Sequence, residues 1–257
     1  FNGTYLKNEI KDLAGLDFIQ GANIASGMVS TDGVTRIAVG QPIGAFYGYE
    51  WTGLDAAGND SFVDRDKNGI IDSKDRTFIG KASPDFTLGW NNSLHWKNWD
   101  LNMLFTYSLG GKTYDGSYAS LMGVSESGAA GSAYHKDILT SWKEVPAGMT
   151  ETSANRIDPN GTPRADFYKS SDLNATSDRW LTSSSYFVFK NLNLSYSLPK
   201  RWLKSVGIEG LSLTAGVENL FTLTSRKGLN PQYSFNGGSD DTYVTARVYN
   251  FGLTVKF

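Results

Sequence analysis

Between Asp64 and Asp75 the chain sets oxygen-bearing side chains at a spacing suited to one cation. Asp64, Asp66, Asn68, Asp72 and Asp75 fall at positions 1, 3, 5, 9 and 12 of this stretch. Gly69 at position 6 permits a sharp turn, Ile70 at position 7 can offer its carbonyl, and Ile71 at position 8 is apolar. Calcium takes several hard oxygen ligands in flexible geometry, and this spacing wraps them around a single ion. Position 12 is Asp75 where a longer Glu is usual, which shortens the reach for bidentate capture. The flanks read as strand or turn rather than as two helices, so the stretch would be an isolated, structural Ca2+ loop. The same residues also suit a solvated Asp/Asn/Gly turn held by side-chain-to-backbone bonds. Both readings stand at this point.

Little else in the chain could do chemistry. His95 and His135 lie far apart, and His95 alternates with apolar neighbours as a structural or lumen-facing residue would. Asp240 and Asp241 are adjacent, and neighbouring side chains on a strand point to opposite faces, so they form no glycosidase pair. Nucleophile motifs, phosphate loops and dinucleotide fingerprints are missing, and the chain reads as no enzyme. A formal net charge of −2 gives no basic face for nucleic acid. Without cysteine, disulfides, thiolate chemistry and Cys-type zinc sites are excluded.

The elements that would carry the loop are strands. Phe86, Leu88, Trp90, Leu94 and Trp96 alternate with polar or small residues. Lys97-Asn98 breaks the run, and Leu101, Met103, Phe105, Tyr107 and Leu109 resume it, which predicts a tight hairpin. Further strands are expected over 45–51 and about 186–198, 211–221 and 243–257, with a weaker candidate at 35–39 and one more in the first thirty residues. The connections 54–85, 110–185 and 222–242 are long and polar, whereas Lys97-Asn98 is very short and 199–210 moderate. A stretch as long as 110–185 should hold local order or function. Within it, Tyr134, Ile138, Leu139 and Trp142 predict a short helix capped at Ser132.

The closing strand sets Tyr243, Tyr249, Phe251, Leu253, Val255 and Phe257 on one side and Asn250, Gly252, Thr254 and Lys256 on the other. Apolar outward and polar or small inward is the pattern of a membrane barrel strand, and an ordinary last strand of a soluble sandwich is the alternative. The terminal Phe257 matches the assembly signal of outer-membrane barrels. Long connections on one side and short ones on the other also fit a barrel, the long ones being extracellular. Mean hydropathy of −0.33 is no objection, because barrel strands alternate. No run approaches the roughly eighteen apolar residues of a membrane helix. The chain begins without Met or a secretory signal, which is expected of a segment of a longer polypeptide. A soluble, calcium-stabilised, carbohydrate-binding β domain is the competing reading; it would bury its aromatics between two sheets.

Several stretches, in order, resemble SusC/RagA-type TonB-dependent outer-membrane transporters. They are Gly40-Gln41-Pro42-Ile43-Gly44-Ala45-Phe46-Tyr47-Gly48-Tyr49 with Gly53-Leu54, then Asp66-Lys67-Asn68-Gly69-Ile70-Ile71-Asp72 with Ile79-Gly80, then Pro84-Asp85-Phe86 with Gly89. Trp99-Asp100-Leu101 and Gly110-Gly111 follow. Ser185-Tyr186-Phe187-Val188-Phe189-Lys190-Asn191-Leu192, Leu194-Ser195-Tyr196-Ser197-Leu198-Pro199, Glu218-Asn219-Leu220-Phe221 with Thr224, and Gly228-Leu229-Asn230-Pro231 complete the set. The resemblance implies an all-β fold: residues 1–257 would be the C-terminal part of an antiparallel transmembrane β-barrel of 22 strands, plugged in the whole protein. It implies import of an oligomeric glycan or peptide powered through TonB. A SusD-like surface lipoprotein would be the partner, outer-membrane lipid the surroundings, and the plug and remaining strands would lie outside this chain. It assigns no substrate-binding residue, because the loops that set specificity vary.

Overall fold

The computed structural model describes residues 1–21, 33–122, 133–144, 147–148, 161–164, 175–225, 232 and 245–257. The first strands are short: β1 (Asn2–Tyr5), β2 (Phe18–Gln20), β3 (Arg36–Ala38), β4 (Ala45–Gly48), β5 (Trp51–Leu54), β6 (Asp60–Phe62) and β7 (Thr77–Lys81). Then come β8 (Phe86–Trp96), β9 (Trp99–Leu109), β10 (Lys112–Tyr114), β11 (Leu181–Ser183), β12 (Tyr186–Ser197), β13 (Gly210–Thr224) and β14 (Val248–Lys256). Two short helices, α1 (Gly116–Met122) and α2 (Lys200–Leu203), lie in connections.

The long strands build one antiparallel sheet in the order β1-β8-β9-β12-β13-β14. Trp96 pairs with Trp99 across Lys97-Asn98, so the predicted hairpin is present, with Lys97 at a φ of 55°. Register aligns most apolar positions of the long strands on one face, with Leu104 and Val188 on the other. Trp90 lies opposite Phe105, Phe105 opposite Phe189, and Phe189 opposite Phe221. Their rings follow one another at 5.2, 4.4 and 5.8 Å. Leu213 and Ala215 continue the face onto Leu253 and Phe251. The other face is mainly polar: Ser93 bonds Asn102 at 2.6 Å, Ser195 meets Thr214 at 3.3 Å, and Ser197 meets Ser212 at 3.1 Å.

One irregularity keeps the faces in phase. Outward residues on β12 run Phe187 and Phe189, then Leu192, Leu194 and Tyr196, so the alternation slips once in between. The register shifts between Phe189 and Asn191 against both neighbours, and opposite the slip Asn219 takes a φ of 52°. A bulge inserts the extra residue without turning the aromatic set to the polar side, which a simple register slip would do.

The aromatic face is uncovered. Phe251 is 84% exposed, Trp96 64% and Leu253 62%. No second sheet buries it among the described residues, and the sandwich expectation fails there. No helix of the described residues is long and apolar enough to cross a membrane.

The buried core lies beyond one end of the sheet, in a cap made from residues 33–48 and the long connections. Val34, Phe46, Ala82, Tyr114, Ala119, Met122 and Trp180 form it, with Ile79, Tyr118, Ile138 and Leu181 packed against them. Three two-stranded ladders frame it: β4 with β7, β5 with β6, and β10 with β11. Two expectations are corrected here. The run 45–51 is not one strand but β4 and β5, each paired locally outside the large sheet: β4 with β7, burying Ala45 and Phe46, and β5 with β6. The helix expected around 134–142 is a 3-10 segment, Lys136–Thr140, whose N-cap is His135, accepting from the Asp137 amide at 3.2 Å. The expected cap Ser132 lies outside the described residues, as do Tyr243, Asp240 and Asp241.

Candidate functional site: an acidic loop on a buried cap

The acidic loop leaves β6 and returns through a 3-10 turn, Ser73–Asp75, into β7. Its backbone is wound around its own carboxylates. The Asp64 carboxylate accepts from the Gly69 amide at 2.8 Å and from the Asn68 amide at 3.2 Å. Gly69 sits at a φ of 83° and Lys67 at 58°, the left-handed conformations that let amides point inward. Asp75 is fully buried; its two oxygens accept from the Arg65 amide at 2.7 Å and the Asp72 amide at 2.8 Å. The Asp72 amide above all, with those of Arg65 and Asp66, holds the Asp75 carboxyl below the usual carboxylate range, against the opposing effect of burial.

Three of the expected ligands converge. Carboxylate oxygens of Asp64, Asp66 and Asp75 all lie within 4.8 Å of one another. Oxygens bound to one calcium at about 2.3–2.6 Å from it stand up to about 5 Å apart, so the spacing fits that ion. Asn68 is adjacent, its amide donating to Asp66 at 3.1 Å and its oxygen accepting from the Ile70 amide at 2.7 Å. Asp72 is engaged otherwise: its side chain caps the 3-10 turn through the Lys74 amide at 2.7 Å. Its capping partner is Asp75, so the ninth position orders the twelfth. Arg65 closes the loop from outside through Glu50 at 2.6 Å.

A second cluster in the cap had no sequence signal. Arg179 donates to both oxygens of Asp60, at 2.9 and 3.1 Å, and the Trp51 indole donates to the same carboxylate at 2.7 Å. The Arg179 guanidinium lies 4.3 Å from the Trp180 ring. Asp178 accepts from the Trp51 amide at 2.8 Å. Burial pushes the Asp60 carboxyl up to about 6 although Arg179 and Trp51 pull it down, and burial lowers Arg179 as well. Arg179 is 119 positions from Asp60, and nothing local announces such a pair. On the large sheet, His95 lies on the polar face as expected, 2.7 Å from Asp100.

A two-faced antiparallel sheet with an exposed aromatic side, a tight turn and a short helical connection at one end and a folded cap at the other defines a segment of an outer-membrane-type β-barrel. No protein-family model matches the chain. It is 31% identical over 245 residues to TonB-dependent receptor P3 of Formosa agariphila, covering 85% of this chain and 22% of that protein. It is 27% identical over 266 residues to TonB-dependent receptor SusC of Bacteroides thetaiotaomicron, covering 100% of this chain and 24% of SusC. Among solved structures it resembles the RagAB peptide transporter, with a TM-score of 0.77 at 21% identity over 99% of this chain and 26% of that one. The chain belongs to the TonB-dependent receptors, as a segment of the barrel. It spans about a quarter of the length of the relatives it matches. These relatives are receptors and transporters rather than enzymes, in agreement with the lack of a catalytic motif.

Proposed function

We propose that the whole protein imports an oligomeric nutrient, glycan or peptide, through the outer membrane. In this reading the sheet is part of a 22-stranded wall with its aromatic face in lipid, and the polar face lines a lumen filled by a plug from the rest of the protein. Connections 54–85, 110–185 and 222–242 stand on the extracellular side. A SusD-like lipoprotein covers that side, and TonB supplies the energy through the plug. The observation that carries the reading is the apolar, largely aromatic face, from Trp90 on β8 to Phe251 on β14, left exposed opposite a mainly polar face. Such an arrangement is stable only where hydrocarbon replaces water on one side. One structural relative is named as a peptide transporter, which supports the peptide class.

The acidic loop then holds one structural Ca2+ through Asp64, Asp66 and Asp75, with Asn68 and the Ile70 carbonyl completing the set and Asp72 capping the turn that holds Asp75. Its cation offsets the repulsion among converging carboxylates and fixes the loop that leads into β7. To test the import reading, the gene for the full-length protein is deleted. Growth on one class of oligomer should stop while growth on its monomers continues, and the protein extracted in mild detergent should bring a surface lipoprotein with it. Unimpaired growth on every glycan and peptide oligomer that the cell can use would sink the reading.

A further inference from the structure

The two short connections of the large sheet meet at its far end from the cap, and they are tied together. The Asn98 side chain donates to the Ser197 carbonyl at 2.6 Å, and the Ser197 amide donates back to the Asn98 carbonyl at 2.9 Å. This sets Lys97 beside the start of α2, where Lys200, Arg201 and Lys204 follow Pro199. Leu203 is buried and pins the turn, leaving Arg201, Trp202 and Lys204 exposed. Each connection pairs a cation with an indole: Lys97 lies 4.8 Å from the Trp96 ring, and Arg201 lies 5.9 Å from the Trp202 ring. Trp99 and Tyr196, 4.4 Å apart, end the apolar face at the same level.

Charge at this end is one-sided. Four cations stand in the two connections against Glu209, while Lys256, which closes β14 there, lies on the polar face with Asp100. Asp100 is on the polar face and taken by His95 at 2.7 Å. Indoles favour the headgroup level of a bilayer, where their apolar body meets acyl chains. Cations clustered beside them favour a net negative headgroup over a neutral one.

We propose that this end binds anionic phospholipid in the leaflet facing the short connections. The lipid phosphate would lie on Lys97, Lys200, Arg201 and Lys204, and its chains against Trp96, Trp99 and Trp202. The inference rests on the membrane-barrel reading and adds a lipid class to it. A free phosphate would lack the acyl contact, and a zwitterionic lipid would lack the net charge. Each Lys or Arg near an anionic surface contributes on the order of fivefold in binding.

The full-length protein is placed in nanodiscs of equal phosphatidylglycerol and phosphatidylcholine, then released for native mass spectrometry. The unaltered protein should retain the anionic lipid in roughly tenfold excess or more. The variant K97Q/K200Q/R201Q/K204Q should retain both lipids alike, Arg201→Gln alone should lower the preference about fivefold, and Lys143→Gln, on the opposite end, should leave it unchanged. Equal retention by the unaltered protein, or a preference that survives in Arg201→Gln and the fourfold variant, overturns the inference. Heat-dependent gel mobility separates the two levels: its absence in the unaltered protein removes the barrel reading itself, whereas a folded barrel without lipid preference removes only this inference.

Discussion

Asp60 shows how burial rather than pairing decides a carboxylate's chemistry. Its raised value means that the folded state holds a proton that the unfolded chain has lost. The resulting contribution is fully present below about pH 3.8 and is lost as pH rises through about 6. The stability advantage of the natural cap over Asp60→Asn should therefore shrink between pH 4 and 6, by on the order of 2–3 kcal/mol. Hydrogen exchange at the Trp51 and Asp178 amides, corrected for intrinsic rate, reads it. An advantage that grows with pH would mean that Arg179 outweighs burial. The acidic loop makes a separate prediction. Asp64→Ala removes the acceptor of the Gly69 amide, so exchange across 64–75 should quicken while the large sheet stays protected. The natural loop should be further protected by millimolar calcium, at a dissociation constant of about 0.1–1 mM; protection indifferent to calcium would leave a plain Asx-rich turn. The loop's ligand spacing was legible in the sequence because all its members are local. That Asp72 would act as a cap, and that Asp60 would find Arg179, depends on how the chain returns on itself.

At the level of elements, strands that alternate over ten residues or so declare themselves, and β8, β9, β12, β13 and β14 lie where the alternation put them. The bulge is visible too, as the phase slip between Phe189 and Leu192. What hid the cap was its use of short ladders: strands of three to five residues, such as β6 and β7, are half-buried along their whole length and show no period. Gly110-Gly111 marks the joint between sheet and cap. Gly111 has a φ of 74°, and a β-carbon there would stand 2.6 Å from the Ala82 carbonyl oxygen. Gly111→Ala should destabilise the β10–β11 ladder by about 1–3 kcal/mol. Faster exchange of the Lys112–Tyr114 amides, with β9 unchanged, is the expected readout; unaltered protection would show that the joint tolerates a side chain.

For the whole molecule, a sheet with β1 and β14 as open edges and one aromatic face uncovered has no stable home in water. The 257-residue chain alone, without detergent, should give aggregates rather than a monodisperse monomer in light scattering after size exclusion. The barrel class was legible because the alternation of faces is written into each strand, whereas substrate and partner are matters of the long connections, whose spacing follows no period. The most direct test places single cysteines at 249 through 254 in the full-length protein, this segment having none of its own. Spin labels at Tyr249, Phe251 and Leu253 should be accessible to oxygen dissolved in lipid, and those at Asn250, Gly252 and Thr254 to a water-soluble nickel chelate. The same accessibility at all six positions, with no alternation, would contradict the account.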